Sequence, residues 1–367
     1  MGVEPQPKHA IANCGQTISL ICCHLANANE DLGGLVTAIP SFAKLLWSVF
    51  YIFRFSQDWA TQYYYDIRSD EVRIAVEESR REEARRCLHE FVPEVYKIVD
   101  PWLSSCQSSC KPKLPDEEKR SQQIQTELYP GHKVHNVRSL QCFLFSGSII
   151  NREQGITIAH ALGAQDGIEI PFDSDRAAVH RTIIGRCRTT FARLQRQGGG
   201  HLTADLALLK LDTDRCSVGN TVWWPYRCSS KALQIKIYKE RRIPNDTTVI
   251  ILDQNGNFQR ACIKTINFTD CTVPLFGGGL YDVLGIGAEN EEASVTQDGD
   301  SGALVMSLPS SETDIVYVYG IVIGIYSFPN GSSFTLANSL WKVIREISTN
   351  ANYSAALSGG TQDIDFA

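Results

Sequence analysis

The sequence lacks the features that mark several protein classes. It has no excess of positive charge, since 35 Lys and Arg stand against 41 Asp and Glu in 367 residues, a net charge of −6. This balance excludes a broadly basic protein, and we expect no nucleic-acid partner. Twelve cysteines are too few for a disulfide scaffold. No repeat of about 20–50 residues indicates a solenoid or a propeller.

Signals for secretion and for membrane insertion are weak. Residues 1–11 lack the basic stretch and apolar run of a secretory signal, so we expect a cytoplasmic protein. Residues 32–53 are long enough to cross a bilayer but include Pro40 and Lys44, and a charge near the centre of a membrane helix costs roughly 2.5–3.5 kcal/mol. A buried helix is the favoured interpretation, with membrane association through residues 32–55 as the alternative.

Residues 1–103 are predicted to form an α-helical region. A strongly apolar stretch comes first, and Glu and Arg are then dense between Asp66 and Glu90. Glu77 and Arg81 lie four residues apart with the acid first, which is the favourable order on a helix. We interpret the charged run as a solvated helix face. The alternative is contact with a protein partner or a membrane through residues 32–103.

The rest of the chain divides into three parts by its amino-acid composition and the spacing of its apolar runs. Residues 104–136 hold Ser, Pro, Lys, Glu and Gln with few large apolar side chains, as linkers do. Residues 137–349 consist of short apolar runs separated by Gly, Asn and Asp, a pattern that predicts an all-β domain. A helix from Leu340 to Ile347 closes this domain, and residues 350–367 form a C-terminal tail.

One short segment has the composition of a nucleophile turn. Gly299-Asp300-Ser301-Gly302 stands directly before the apolar run that begins at Ala303. Flanking glycines leave room for a substrate carbonyl, and their backbone N–H groups can point at a developing oxyanion. By itself this segment is only suggestive, because the same residues also form ordinary turns.

Two further residues complete a catalytic set. An apolar segment predicted to be a strand ends at His160, and Asp205 stands at the start of a second, fully apolar one. A buried carboxylate needs hydrogen-bond donors, and an imidazole N–H is a suitable one. The chain order His160, Asp205, Ser301 is the order found in chymotrypsin and differs from that of subtilisin and the α/β-hydrolases.

Residues 139–348 resemble the chymotrypsin/trypsin-like serine proteases. The resemblance is carried by the histidine motif at 158–160, the aspartate motif at 204–209, the nucleophile motif at 299–302 and the cleft strand at 320–322. It implies a mainly β fold: a chymotrypsin-like double β-barrel with a C-terminal helix, preceded here by a smaller α-helical N-terminal domain.

The resemblance also implies a function and a role for each residue of the set. The protein is expected to be a serine endopeptidase in which Ser301 is the nucleophile, His160 the general base and Asp205 the group that orients His160. The backbone N–H groups of Gly299 and Ser301 are expected to form the oxyanion hole. Protein or peptide substrates are expected, without a cofactor or metal.

Substrate contacts are expected from Val295, Ile323 and Gly324. Val295 falls six residues before Ser301, where trypsin-like members place the acid that binds Arg or Lys. An apolar residue there indicates preference for a medium-sized apolar or a small side chain.

Activation is expected to differ from that of the secreted members. In those proteins a cleavage creates a new N-terminal amine that pairs with the Asp next to the nucleophile, which is Asp300 here. No Ile-Val-Gly-Gly segment follows a basic residue in this sequence. We therefore predict that Asp300 has another partner and that the uncut chain is active.

Besides non-proteolytic acyl hydrolysis, which is a weaker option, two alternatives stay open. One is a catalytically silent binding or scaffold protein that uses a protease-like fold, because a fold does not determine function. The other is a zinc site formed by Cys106, Cys110, His132 and His135, but their spacing fits no common zinc finger, and a polar linker is favoured.

Overall fold

The computed structural model describes residues 60–354 with gaps, together with 356–357 and 364–366. The gaps are 67–68, 70, 90–95, 103–104, 108–110, 113–125, 150–152, 170–182, 197–198, 227–228, 241–242, 245, 274–278 and 292. The segment 32–53, predicted to be a buried helix or a membrane-associated one, lies outside the described residues. The chain forms two compact units, 1–101 and 102–367.

The first unit contains both strands and helix. Its elements are β1 (Ala60–Asp66), β2 (Glu71–Val76), a 3₁₀ turn (Glu78–Arg80), α1 (Arg81–His89) and β3 (Tyr96–Val99). Strand β2 pairs antiparallel with β1 and parallel with β3.

The predicted helix between Asp66 and Glu90 is correct only for the part near its end. It is wrong for β2, where Val72, Ile74 and Val76 alternate with other residues and are fully buried. A period of two with β-branched side chains favours a strand, and this local signal outweighs the surrounding charge. In α1 the residues Glu82 and Arg85 are exposed, as a solvated face requires.

The second unit begins with three short strands, within the segment predicted as a linker. They are β4 (Ser105–Gln107), β5 (Lys111–Pro112) and β6 (Thr126–Leu128). Each is paired with a strand from a later part of the chain. Their own composition is too polar to predict strands, so it is the pairing with later strands that makes them part of this unit.

The first barrel is formed by seven strands, which take six positions in the ring because two of them are parts of one bent segment. The next strands are β7 (Lys133–Asn136), β8 (Gln141–Leu144), β9 (Gly147–Ser148), β10 (Gln154–Thr157), β11 (Gly167–Glu169), β12 (Ile183–Gln195) and β13 (His201–Leu211). They pair in the order β8-β7-β11-β12-β13-β10-β9. Because β8 and β9 are two parts of one bent segment, the ring closes.

The second barrel is also a ring of six strands. The remaining elements are β14 (Cys216–Val218), β15 (Thr221–Tyr226), β16 (Ser229–Ile237), β17 (Thr248–Leu252), β18 (Phe258–Asp270), β19 (Leu280–Gly287), β20 (Leu304–Ser307), β21 (Ile315–Ser327), β22 (Ser333–Ser339), α2 (Leu340–Thr349) and α3 (Ala351–Ser354). Strands β17, β18, β19, β22, β21 and β20 pair in a closed cycle. The predicted double β-barrel with a C-terminal helix is thus confirmed.

Two other expectations can be compared with the described residues. In the predicted C-terminal tail, Phe366 forms a β-bridge with Ile149, and the Asp365 carboxylate accepts a hydrogen bond from the Ile237 N–H at 2.8 Å. This part of the tail therefore packs against the rest of the second unit. Among the helices in the described residues, none combines the length and the apolar character that a membrane crossing requires.

The two barrels meet where the turn at 298–302 lies on the segment between β8 and β9. The Leu144 N–H donates to the Ser301 carbonyl at 2.7 Å, and the Ser146 hydroxyl donates to the Gly302 carbonyl at 2.7 Å. Gly302 has φ of +94°, and a Cβ atom there would overlap the Leu144 carbonyl oxygen. Only glycine fits this contact without a backbone shift.

We predict that Gly302→Ala destabilises the protein more than Gly331→Ala. Gly331 has a similar φ of +84°, but its Cβ position is open. The control should lose about 1–2 kcal/mol from left-handed strain alone. Gly302→Ala should lose more, because overlap with a backbone atom adds to the strain. Urea unfolding of both variants measures this, and equal losses would contradict the proposed contact.

A buried carboxylate also joins the barrels to the C-terminal helix. Asp282 in β19 is buried, and its carboxylate pairs with Lys342 of α2 at 2.8 Å and with Arg196, which follows β12. Burial alone would raise the pKa of Asp282, but the charges of Lys342 and Arg196 outweigh it, so that the pKa lies below the ordinary 3.8. The folded state therefore favours the ionised form.

We predict that Asp282→Asn lowers the free energy of unfolding by about 3 kcal/mol near neutral pH, because it leaves two cations without their buried partner. The lowered pKa means that the stabilisation is present above pH 3.8 and is lost as the pH falls below that value. The difference in urea midpoint between the wild type and Asp282→Asn should therefore decrease as the pH falls. Asp314→Asn is the control, since its ion pair with Lys231 is exposed and should contribute below about 1 kcal/mol. A gap that widens in acid would contradict the assignment.

Candidate active site

The three residues predicted to be catalytic lie in one hydrogen-bonded row. The His160 Nδ1 atom is 2.6 Å from Asp205 Oδ2, and the Ser301 Oγ atom is 3.3 Å from His160 Nε2. His160 follows β10 and Asp205 lies in β13, both in the first barrel, whereas Ser301 belongs to the turn before β20 in the second. With the proton on Nδ1 donated to Asp205, Nε2 is left to accept from the Ser301 hydroxyl.

Asp205 is held by more than the imidazole. Its Oδ1 atom accepts hydrogen bonds from the backbone N–H groups of Ala159 at 3.1 Å and His160 at 2.9 Å. These bonds satisfy a carboxylate that is entirely buried. Asp205 has φ of +35° and lies within an irregularity in the pairing of β12 with β13. Such irregularities re-aim side chains next to active sites.

The turn that carries Ser301 is tight. Gly299 has φ of +101°, and the N–H of Asp300 donates to the carbonyl of Gln297 at 3.1 Å. The Gly299 N–H donates no hydrogen bond to any residue that the structure describes. An N–H of this kind next to a serine hydroxyl is a group that could bind an oxyanion.

Asp300 takes its hydrogen bonds from backbone amides. Its Oδ1 atom accepts from the Gln254 N–H at 2.8 Å, and its Oδ2 atom accepts from the Gln297 N–H at 2.8 Å. Asp300 is buried, so these two bonds replace water on both oxygens. Holding this carboxylate does not require a new N-terminal amine.

Gln254 is a residue of the site that sequence reasoning missed. Besides its backbone bond to Asp300, its side-chain Nε2 donates to the Asp298 carbonyl at 2.5 Å, and its amide lies against Gly299. It stands on the β17–β18 turn, where Asp253 accepts from the N–H of Asn255. The turn is recognisable in the sequence, but nothing in it points to a site 46 residues away.

Two of the three residues expected to contact substrate, Ile323 and Gly324, lie on the strand next to the turn that carries Ser301. Strand β21 is bonded to that turn, because the Gly302 N–H donates to the Val322 carbonyl and the Val322 N–H donates to the Ala303 carbonyl, both at 2.9 Å. Ile323 and Gly324 follow directly at an irregularity in the β21–β22 pairing. The Ile323 side chain is fully buried, so any contact with substrate there would come from its backbone.

Val295 borders a cluster of hydroxyl groups. Its N–H donates to the Thr335 hydroxyl at 3.2 Å, and that hydroxyl also lies 2.8 Å from the Thr296 hydroxyl and 3.0 Å from the Ser294 hydroxyl. Thr335 is wholly buried. This cluster was not predicted, because Thr335 belongs to β22 and nothing in the sequence brings it next to residues 294–296.

Within the described ranges, no three His, Cys, Asp or Glu side chains are grouped as a metal site requires. Of the four residues weighed as zinc ligands, Cys110 lies outside the described residues. His132 instead accepts a hydrogen bond on Nδ1 from the Tyr129 N–H at 3.1 Å.

No protein-family model and no curated protein sequence matches this chain. Solved structures similar to it include a chymotrypsin of Cellulomonas bogoriensis, with 10% identity, a TM-score of 0.40 and coverage of 60% of this chain and 94% of that one. Protease A of Thermobifida fusca has 12% identity, a TM-score of 0.38 and coverage of 60% and 95%. A serine protease of a human pathogenic astrovirus has 12% identity, a TM-score of 0.28 and coverage of 60% and 95%.

These solved structures are chymotrypsin/trypsin-like serine proteases. Their TM-scores are low, and it is the strand pairing of the chain itself that defines its fold. Two closed six-stranded rings, a C-terminal helix and a nucleophile turn at their junction make this a chymotrypsin-like β fold.

Proposed function

We propose that this chain is a serine endopeptidase that hydrolyses peptide bonds through an acyl-enzyme. The observation that supports the proposal is the row Ser301 Oγ, His160 Nε2 and Nδ1, and Asp205 Oδ2, with separations of 3.3 and 2.6 Å. The first of these is long for a hydrogen bond between a hydroxyl and an imidazole. Such contacts are often long without substrate and shorten in the complex.

Each group of the row has a chemical task in this proposal. The Ser301 Oγ atom attacks the scissile carbonyl carbon while its proton passes to His160 Nε2. Asp205 stabilises the imidazolium that results. The carbonyl oxygen becomes an oxyanion that the N–H groups of Gly299 and Ser301 stabilise. His160 then gives the proton to the leaving amine. A water molecule attacks the acyl-enzyme by the same steps and releases Ser301.

Activity without prior cleavage is part of the proposal. In the uncut chain the Asp300 carboxylate already accepts hydrogen bonds from Gln254 and Gln297. Backbone amides are present in every copy of the chain, whereas a new N-terminus exists only after proteolysis. The nucleophile turn thus needs no processing event to hold its conformation.

The substrates proposed are proteins or peptides with a medium-sized apolar or a small residue before the scissile bond. Val295, Thr296 and Thr335 bring no negative charge to the segment before Ser301. A buried cation needs a counter-charge, so an Arg or Lys side chain would be poorly stabilised there.

The alternative is a catalytically silent binding protein with the same fold, and one observation favours it. Ser301 has no solvent-exposed surface, and the Gln254 amide lies against Gly299. In this conformation the nucleophile and the oxyanion donor are both covered.

Two expectations from the sequence stay predictions. They are the cytoplasmic location and the contact of residues 32–103 with a protein partner or a membrane.

We predict that a fluorophosphonate probe labels the uncut, full-length chain. Ser301→Ala and His160→Ala should each abolish labelling, because loss of a triad member typically costs about 10⁴–10⁶-fold in rate. Ser348→Ala and His201→Ala are the controls, and both should label like the wild type. Fluorescence of labelled protein after electrophoresis gives the readout.

A folded wild-type chain that is never labelled would favour the silent binding protein. Labelling that begins only after removal of the residues before about 133 would contradict activity without cleavage. Circular dichroism of every variant shows whether a negative result comes from unfolding.

We predict that a peptide library reveals cleavage after medium-sized apolar or small residues. Val295→Asp should shift the preference toward Arg and Lys by roughly tenfold or more, since a new carboxylate near the substrate side chain supplies a counter-charge. Val295→Asn is the matched control without charge and should produce no such shift. A wild-type profile dominated by Arg or Lys would refute the proposed preference.

A further inference from the structure

A cavity of about 440 Å³ lies on the first barrel, where β10, β12 and β13 run side by side. Its lining includes Gln154 of β10, Arg186 and Arg188 of β12, and Lys210 of β13. None of these residues belongs to the catalytic row or to the turn that carries Ser301.

The first observation is a pair of like charges in the sheet. Arg186 and Lys210 are direct partners in the β12–β13 pairing, so their side chains project from the same face. Both are exposed, and neither side chain forms a hydrogen bond or an ion pair within the described part of the chain. Like charges directly opposite each other destabilise a sheet, and an anion between them would remove the repulsion.

The second observation is a buried amide with nothing to bond to. Gln154 is the cross-strand partner of Lys210 on the other side, and only 5% of its surface is exposed. Both its Oε1 and its Nε2 atoms lack a hydrogen-bond partner in the part of the chain that the structure describes. A buried polar group of this kind is rare unless a bound molecule satisfies it.

The third observation is a bulge that adds another cation. The β12–β13 register shifts between Cys187 and Thr189, which makes Arg188 the extra residue and brings it to the cavity beside Arg186. Among the lining residues that the structure describes, Glu153 is the one carboxylate, so these residues have a formal excess of two positive charges. The chain as a whole carries −6.

We propose that this cavity binds a small molecule through a phosphate group. A phosphate monoester carries about −1.5 to −2 charges at neutral pH, which matches the excess charge of the lining. The Arg186 guanidinium can bind two phosphate oxygens at once, and the Gln154 Nε2 atom can donate to a third. A single carboxylate would leave one cation without compensation. A compact cavity on three adjacent strands suits a small ligand better than a polymer.

The cavity lies at the far end of the strands that carry the catalytic residues. Gln154 precedes His160 by six residues, and Lys210 follows Asp205 by five. The proposed ligand therefore binds away from the candidate active site, and this proposal does not depend on proteolytic activity.

Isothermal titration calorimetry of the full-length chain tests the proposal, with inorganic phosphate, glycerol phosphate and acetate as probes. We expect both phosphates to bind and acetate to bind at least tenfold more weakly. Arg186→Gln and Lys210→Gln should each weaken phosphate binding roughly tenfold or more, because a hydrogen bond to a charged group contributes that much. Lys236→Gln is the matched control and should bind like the wild type, because Lys236 is an exposed lysine of β16, which pairs with β21 of the second barrel.

A further variant separates binding from folding. Gln154→Leu should weaken phosphate binding while leaving the melting temperature unchanged or higher, since it replaces an unsatisfied buried amide by an apolar side chain of similar size. A purely structural Gln154 would give the reverse, with lower stability and unchanged binding.

Several results would overturn the proposal. They are the absence of phosphate binding at millimolar concentration, equal binding of acetate, and binding unaffected by Arg186→Gln and Lys210→Gln. Binding of a single-stranded RNA or of phosphatidylserine vesicles without any response to glycerol phosphate would also overturn it, because the surface would then recognise a polymer or a membrane.

Discussion

The position of Ser301, the proposed nucleophile, depends on one contact between the barrels. The Leu144 N–H and the Ser146 hydroxyl bind the carbonyls of Ser301 and Gly302. The Leu144 carbonyl in turn accepts from the Thr157 hydroxyl at 2.7 Å, and Thr157 stands three residues before His160. The same short segment of the first barrel thus positions both the serine and the histidine. Backbone carbonyls of Leu144, Ser301 and Gly302 accept these three bonds, and Gly302 is needed for the close approach.

Three buried carboxylates show three ways of stabilising a charge inside this fold. Asp205 is bonded by an imidazole and two backbone amides, Asp300 by two backbone amides, and Asp282 by Lys342 and Arg196. A buried charge needs such partners, so each carboxylate ties together parts of the chain that are distant in sequence. The arrangement of the candidate catalytic residues is consequently a product of the same requirement that stabilises the fold.

The sequence was sufficient where side-chain identity carries the information. Three features of the sequence predicted the residues that the structure brings together. They are the small residues around Ser301, the strand ends at His160 and Asp205, and the order of these three residues along the chain. Gln254 could not be predicted, because its bond to Asp300 uses a backbone N–H that any residue but proline would provide. The strands between Ser105 and Leu128 were missed for a related reason, since pairing with distant strands stabilises them. The alternation in β2 is visible in the sequence, but the charge pattern that follows it led to the prediction of a helix.

Gln254 links the two candidate functions of the site. Its side chain covers Gly299 and donates to the Asp298 carbonyl, whereas its backbone N–H holds Asp300. Rotation of the side chain away from Gly299 breaks the first bond and leaves the second intact. A neutral hydrogen bond contributes only about 0.5–1.5 kcal/mol net, which substrate contacts can readily offset. Moving this side chain away from Gly299 therefore requires a rotamer change and not a refolded turn, so the observed conformation is compatible with an active enzyme.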